Sequence, residues 1–513
     1  MKWVIAFIGL LMGVPVAALS QSDSLYIPSM QEVYQQNSWL YGANPVGLSF
    51  NRFRAFSMVE VGSGYSAGNL GNTSIPSSSS VYFVRSEAFQ RLGKIALYGQ
   101  LEYGQNVNRG QNWNGMVNDY WQAVQLCDSV SGKRRSEAYH LSAAFSMPIK
   151  SHWILGAQAD YRVEMVAKDT DPRNKNQWSE WMFASGIGYH KGNNKLGVSL
   201  LYANRKESID FQNMGTHAVY PFFAGYPLSF FQTLPKDENL KWYYTGYEFG
   251  GALQSEMGLD EFRWFQQFAG SISKQNIESS RIRDRKEGES ELWQVNYLGK
   301  IQRSFRHSRH EWSLRIWYGQ SDNYDPLQQQ EESGVWKSYG RVLRSTRCMG
   351  SGDLSYEYRR MRDIWNPYFT VLSGVSYNYQ ENALLFYPTK YLQPLHRFSV
   401  YTTFMRSIVL PDAFLDCSLG GRYGVGGGTI MKEEKLTTDS NTSEIKLWQN
   451  ISRLQQDYDY ETAARFALNF SVTYTRKTPF RWFVRLSGGY EYLHNCQPKE
   501  NNKKFITQIG LIF

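Results

Sequence analysis

Cysteine is scarce in this chain, with four in 513 residues. That density excludes a disulfide-stapled secreted scaffold, and no cysteine spacing resembles a structural zinc site. Long hydrophobic runs are also lacking. After residue 20 there is no stretch of about 20 apolar residues, which a membrane-crossing helix needs, and the mean hydropathy is −0.49. Histidine is thin, eight residues scattered along the sequence. His310-Glu311 is followed by no second His, so the H-E-x-x-H zinc pattern is missing. Gly93-Lys94, Gly132-Lys133 and Gly299-Lys300 each lack the upstream Gly of a phosphate loop. No cofactor and no metal is expected, and an enzyme is the least favoured class. Aromatics, by contrast, are abundant: 35 Tyr, 29 Phe and 16 Trp. With 42% hydrophobic residues the chain is too apolar for disorder.

Residues 1–20 read as a secretory signal peptide. Met1 and Lys2 form a cationic start, and Trp3 to Ala18 is an apolar stretch broken by Gly13 and Pro15. Ala17, Ala18 and Ser20 supply the small residues for cleavage after Ser20 or Ala18. The first cysteine is Cys127, so lipoprotein processing is not expected. The mature chain then carries 54 basic and 46 acidic side chains.

The informative signal is a period of two. From Trp153, one parity reads Trp153, Leu155, Ala157, Ala159, Tyr161, Val163; the other reads Ile154, Gly156, Gln158, Asp160, Arg162, Glu164. A helix would mix these sets and a strand separates them. The apolar face spans the roughly 10 residues a tilted strand needs to cross a bilayer, with Trp and Tyr at its two ends. The pattern recurs down to the terminal Phe505, Thr507, Ile509, Leu511, Phe513. Connections alternate short and long. Short ones lie near 91–93, 150–152, 191–194, 304–309, 411–412 and 477–480; long ones near 64–79, 106–135, 210–241, 322–336, 380–394 and 426–460. This is the arrangement of an outer-membrane barrel with short periplasmic turns and long extracellular loops.

The expected fold is therefore all-β: a single transmembrane antiparallel β-barrel over residues 51–513, of about eighteen strands. Starts fall near 51, 80, 94, 136, 152, 178, 195, 242, 262, 290, 310, 337, 365, 395, 413, 461, 480 and 503. Sixteen or fourteen strands remain if some pair outside the membrane. Residues 21–50 form a periplasmic lead-in or a luminal plug, with Trp39, Tyr41, Asn44, Pro45 and Gly47 as the plug candidates.

The closing FITQIGLIF, ending on Phe513, resembles the assembly signal of outer-membrane barrels, which implies the barrel-assembly machinery as a partner. Asn44-Pro45-Val46-Gly47 is similar to the Asn-Pro-Ala-Gly element of the fatty-acid transporter superfamily and of related secretion-linked shuttle barrels, with Val46 where that element has Ala. The whole chain resembles an uncharacterised family of outer-membrane barrel proteins found in Bacteroidota. Asn44-Pro45 and the Asp171-Pro172-Arg173 turn contribute to that resemblance. It implies location and architecture and brings no activity with it.

The alternation places Gln158, Asp160, Arg162, Glu164, Arg315, Arg485 and Glu491 as candidate lumen-facing polar residues, read as pairs of opposite charge on one strand: Asp160, Arg162 and Glu164, and Arg485 and Glu491. His140 with Ser142 shares the lumen face, and His307 with His310 reads as a solvated pair. Cys127 and Cys496 fall in long loops where a disulfide is open to them. Arg281-Ile282-Arg283-Asp284-Arg285 and Arg359-Arg360-Met361-Arg362 are expected at strand ends, against outer-membrane lipid and lipopolysaccharide head groups. The 426–460 loop is expected to be mobile and exposed. The net charge of +9 is modest and diluted by acidic neighbours, so nucleic acid is not an expected partner. The expected function is a transport or uptake-associated barrel in the cell outer membrane. The alternative is a non-conducting scaffold or shuttle subunit holding a surface lipoprotein or receptor partner, and an outer-membrane hydrolase comes third.

Overall fold

The computed structural model describes residues 33–34, 37–51, 53–69, 74–117, 122–215, 220–234, 240–259, 261–280, 285–362, 367–436, 446–476, 481–494 and 500–513. Eighteen antiparallel strands close into one barrel. They are Ala55–Gly68, Ser78–Leu92, Ile95–Gln111, Gly132–Pro148, Trp153–Lys168, Arg173–Lys191, Asn194–Gln212, Leu240–Leu259, Phe262–Ser279, Lys286–Ser304, Ser308–Gln330, Trp336–Met361, Pro367–Phe386, Thr389–Val409, Ala413–Gly428, Ala464–Arg476, Arg481–His494 and Glu500–Ile512. Each pairs with its sequence neighbours, and the last pairs with the first, Ile509 opposite Val61. Closure leaves no edge in the wall. All eighteen starts read from the alternation lie within six residues of the observed ones.

The alternation becomes an inside-out distribution of surface. On the outer face Leu200 is 67% exposed and Leu253 60%, while inward Ser199 and Glu248 are 4% and 5% exposed. Contiguous apolar surface of this extent is not tolerated in water, so lipid is the solvent of this face. Two aromatic bands bound it. One holds pairs such as Trp153–Tyr189 and Tyr474–Trp482, at 5.2 and 5.5 Å; the other holds Tyr103–Tyr139 and Tyr161–Trp181, at 5.0 and 4.0 Å. From Trp153 to Tyr161 the strand climbs about 20 Å at ordinary rise and tilt, close to the apolar thickness of an outer membrane.

One end carries tight turns such as Gly93-Lys94 and Gly192-Asn193, together with both ends of the wall. The other carries the long connections. Two of those expected as loops are instead wall. Residues 322–330, 380–386 and 389–394 continue the Ser308–Gln330, Pro367–Phe386 and Thr389–Val409 strands; the turn 331–335 leads into Trp336–Met361, and Pro367–Phe386 and Thr389–Val409 join through Tyr387-Pro388 alone. Both stretches belong to a wall that continues past the aromatic band.

Candidate functional site

Inside the tight-turn end, residues 37–51 lie against the inner wall. Ser38–Tyr41 is a helical turn capped by Asn37, and Pro45–Phe50 is a 3-10 helix capped by Asn44. Asn44 Oδ1 accepts from Val46 N at 3.1 Å, and its Nδ2 donates to Val198 O on the wall at 3.2 Å. Pro45 fits the first helical position because its missing N–H would have had no partner there. Trp39 is wholly buried, edge-on to Phe50 and Phe265 at 5.2 and 5.8 Å. Ala43 N donates to Gln267 Oε1 at 2.9 Å, and Ser146 Oγ donates to Val46 O at 3.3 Å. Arg91 Nη2 donates to the carbonyls of Ser49 and Asn51 at 2.9 and 3.0 Å.

The wall is cut to receive this segment. Gly156 faces Gly186 across one strand pair, and Gly188 faces Gly197 across the next. A Cβ at Gly156 would stand 2.6 Å from Val46 N, and one at Gly186 would stand 2.1 Å from Asn44 Oδ1. At Gly188 it would meet Val46 Cγ1 at 2.6 Å, and at Gly197 Asn44 Nδ2 and Trp39 Cζ3 at 2.8 Å. Gly47 does the same from within the segment, since a Cβ there would lie 2.3 Å from Trp39 O. Tyr41 ends the helical turn. Below the segment is a cavity of about 120 Å³ bordered by Asn51, Lys195, Glu256, Arg263, Lys300 and Glu311. Lys195 Nζ meets Glu256 Oε1 at 2.7 Å, and Lys300 Nζ meets Glu311 Oε1 at 3.1 Å.

Above the seat the inner wall is a ladder of ion pairs formed across strands rather than along them. Same-face neighbours on one strand are about 7 Å apart, while cross-strand neighbours are about 5 Å apart. Asp160 is buried and meets His140 Nε2 at 3.3 Å and Gln158 Nε2 at 2.8 Å. Arg162 meets Glu180 at 3.7 Å, and Arg205 joins Glu180 to Glu248, the latter at 2.6 Å. Glu164 is half-buried on the same face. Arg315 stands exposed opposite Asp353, whose carboxylate accepts from Tyr401 Oη at 2.9 Å. The pairing of Arg485 with Glu491 is corrected. Arg485 Nε donates to Thr473 Oγ1 at 3.1 Å, and Glu491 meets Arg465 at 3.6 Å. Arg359 does not meet head groups; it is buried against Glu357. His310 is not solvated either, as its Nδ1 lies 2.7 Å from Tyr356 Oη among outer-band aromatics. Residues 281–284 and Cys496 lie outside the described residues, and Cys127 is buried.

At the opposite end three long connections meet. Gln125–Cys127, Phe222–Gly225, Phe230–Leu234 and Trp448–Gln449 form a four-stranded sheet. Its strands come from separated points of the rim, so the sheet reaches across the mouth. The 426–460 segment is not a mobile loop throughout. It contains the helix Ile451–Thr462, capped by Asn450 and anchored by Leu454 among Leu228, Phe230 and Leu384. Arg453 lies over the Trp113 ring at 5.1 Å, and Trp113 stacks on Phe223. The lid docks on the inner wall through Val117 N to Glu207 Oε1 at 2.8 Å and Tyr244 Oη to Val124 O at 3.0 Å. On its helix, burial pushes the Asp457 carboxyl up to about 6 against the pull of Arg453, 3.6 Å away.

The sequence does spell G-x-S-x-G once, at Gly64-Tyr65-Ser66-Ala67-Gly68, but these residues lie flat in the first strand with no strand-to-helix turn. Ser142 is buried opposite Asp160, and its hydroxyl makes no hydrogen bond to His140. Among the described residues no group of three His, Cys, Asp or Glu could hold a metal. The glycine seat and the lid were missed by sequence reasoning. Gly156, Gly186, Gly188 and Gly197 share inward parity, which is a readable signal only once the strand register is known.

Solved structures to which the chain is similar include the following three. The ferric preacinetobactin receptor BauA from Acinetobacter baumannii shares 7% identity, with 90% of this chain and 80% of that one covered and a TM-score of 0.39. The outer membrane transporter YddB from Escherichia coli shares 9%, covering 90% and 81%, with a TM-score of 0.39. A mutant of the monoaromatic hydrocarbon channel TodX shares 9%, covering 92% of each chain, with a TM-score of 0.31. Among curated proteins no sequence matches this chain. The model of a family of unknown function, DUF6850, matches residues 45–513, and the chain belongs to that family.

Proposed function

We propose that this protein is an outer-membrane uptake barrel for a small polar solute, closed at its tight-turn end by residues 37–51. The apolar outer band asks for a membrane. Short turns and both wall ends share one side, which fits the periplasm, and the lid then faces outward. Residues 1–20 serve as the export signal in this reading. The carrying observation is the glycine seat, a bare backbone patch on three adjacent strands shaped to one short segment. A wall needed only for rigidity would fill those positions with side chains. The segment is the gate, and the cross-paired charges above it form a polar path. Removing residues 33–48 should raise planar-bilayer conductance sharply. Unchanged conductance in a folded, heat-modifiable barrel refutes the gate.

A second reading, a lid that receives a surface partner, draws on Trp448 and Ile451, which are 61% and 70% exposed on the lid. A Trp448→Ala, Ile451→Ala variant with unaltered conductance but altered co-purification from intact cells would favour it.

A further inference from the structure

Directly above the gate, the inner wall carries polar groups that stand outside the ion-pair ladder. Two cross-strand rows build the patch on four adjacent strands, Phe262–Ser279, Lys286–Ser304, Ser308–Gln330 and Trp336–Met361. In the row nearer the gate, Gln267 lies opposite Leu298, Leu298 opposite Arg315, and Arg315 opposite Asp353. One same-face step toward the lid, Asn296 lies opposite Trp317 and Trp317 opposite Ser351. Such neighbours are about 5 Å apart across strands and about 7 Å apart along one. These side chains border a groove of about 290 Å³. Its lower edge is held by the gate itself. Gln267 Oε1 accepts from Ala43 N at 2.9 Å and from Gln254 Nε2 at 2.6 Å, and Leu298 packs with Trp39 and Phe265. A solute descending the lumen therefore comes to rest here while the gate is seated.

The groove offers unused hydrogen-bonding capacity on all sides. Gln267 Nε2 and the half-buried side chains of Asn296 and Ser351 have no hydrogen-bond partner among the described residues. Asp353 accepts from Tyr401 Oη at 2.9 and 3.1 Å, which leaves lone pairs on both carboxylate oxygens. Arg315 adds the donors of an exposed guanidinium. One cation opposite one carboxylate leaves the groove without net charge. Trp317 Nε1 donates to Gln294 Oε1 at 3.4 Å, so the edge of the indole is occupied and its ring lends the groove carbon surface, as Leu298 does.

We propose that this groove binds a mono- or disaccharide. A sugar is uncharged, presents donors and acceptors around its whole rim, and has a C–H face that lies on an aromatic ring. The balanced Arg315 and Asp353, the free amides and hydroxyl, and Trp317 match those properties in turn. A small anion would meet the Asp353 carboxylate and be repelled. A hydrocarbon would leave Asn296 and Ser351 desolvated without partners. An amino acid would engage Arg315 and Asp353 through its two charges and leave the amides idle. Ligand pockets begin at about 300 Å³, so the groove has room for a small sugar and not for a long chain. The assignment rests on the uptake reading above and names its substrate class.

The test uses the full-length barrel in micelles of lauryldimethylamine oxide, a detergent without a sugar head group. Glucose, maltose and lactose are the probes, and saturation-transfer NMR titration is the readout. Ring protons of at least one probe should receive saturation from the wild-type protein. Trp317→Ala and Asp353→Asn should each weaken that probe about tenfold. Asn469→Ala, on the inner face four strands further along the wall, should leave it unchanged. Heat-modifiable mobility verifies folding; Asp353→Asn keeps the shape of the side chain and decides alone if Trp317→Ala does not fold. No saturation transfer to any of the three sugars, wild-type affinity in Asp353→Asn, or tighter binding of glutamine than of every sugar each overturns the site. Conductance of the 33–48 deletion is measured beside it. A barrel that opens on deletion yet binds no sugar defeats the site alone; one that binds sugar but keeps its conductance on deletion defeats the gate and leaves the site standing.

Discussion

Replacing Gly156 with valine tests the gate at its tightest contact. The Cβ would come within 2.6 Å of Val46 N and 2.8 Å of Pro45 C, both backbone atoms that cannot swing aside. The strand itself does not object, because glycine is a poor strand residue and valine a good one. The penalty therefore falls on the seated segment. Overpacking of this kind costs about 1–3 kcal/mol, which multiplies the ratio of unseated to seated segment by about 5 to 150. Single-channel recording should show open probability rising by that factor, with the thermal transition of the wall unchanged or raised. Gly99→Val is the matched control, since a Cβ at Gly99 meets nothing within 4 Å. An open probability for Gly156→Val equal to that of the control would refute the reasoning.

Three further outcomes are expected. Ala157→Arg should destabilise the barrel by about 2–4 kcal/mol in urea titrations in lipid, because Ala157 has the lipid-facing parity midway between the Trp153 and Tyr161 bands; Gln158→Arg, on the inner face, should cost much less. Arg205→Ala leaves Glu180 and Glu248 facing each other without their shared cation and should cost roughly 3 kcal/mol, largely restored by adding Glu180→Gln and Glu248→Gln. The Asp457 carboxyl, at about 6 when the lid is docked, lies above its ordinary 3.8, so docking favours the protonated form. That contribution is complete below the ordinary value and is lost as pH rises through about 6. Protection factors of amides 451–462, taken relative to intrinsic exchange at each pH, should accordingly be higher at pH 5 than at pH 8, and Asp457→Asn should abolish that difference.

The barrel was legible because its signal is local. Two residues decide a face, and Trp153 to Val163 displays both faces within one strand. Strand count and starts follow from repetition of that pattern. What lies inside was less legible, because it depends on register between distant strands. Arg162 meets Glu180 only through the pairing of two strands, whereas reading along one strand suggests partners in sequence. The lid escapes for the same reason. Phe230 pairs with Gln449, 219 residues away, and neither segment alternates for long enough to announce a strand. The wall at 322–330 and 380–386 reads as loop because the alternation breaks there: the register shifts at Asn323/Tyr324 and Leu327/Gln328, and Ala383, Leu384 and Leu385 run consecutively. Trp39 to Gly47 draws attention through its aromatics and turn residues. Its receptor, a patch of missing side chains, is visible only in space.

The bonds that join the first and last strands also set an order in time. Ser57 N donates to Phe513 O at 3.0 Å, and Phe513 N to Ser57 O at 2.8 Å. These partners lie 456 residues apart in sequence, so the seam joins the first strand of the wall to its last. Until it closes the sheet carries two open margins, and each unpaired backbone group on them costs several kcal/mol in hydrocarbon. An unclosed sheet therefore gains nothing by entering the bilayer piecemeal. Insertion and closure become one event, which needs the Glu500–Ile512 strand in place. Loss of the Glu500–Ile512 strand would not yield a slightly smaller barrel. It would leave a curved ribbon with nowhere to go but into other ribbons.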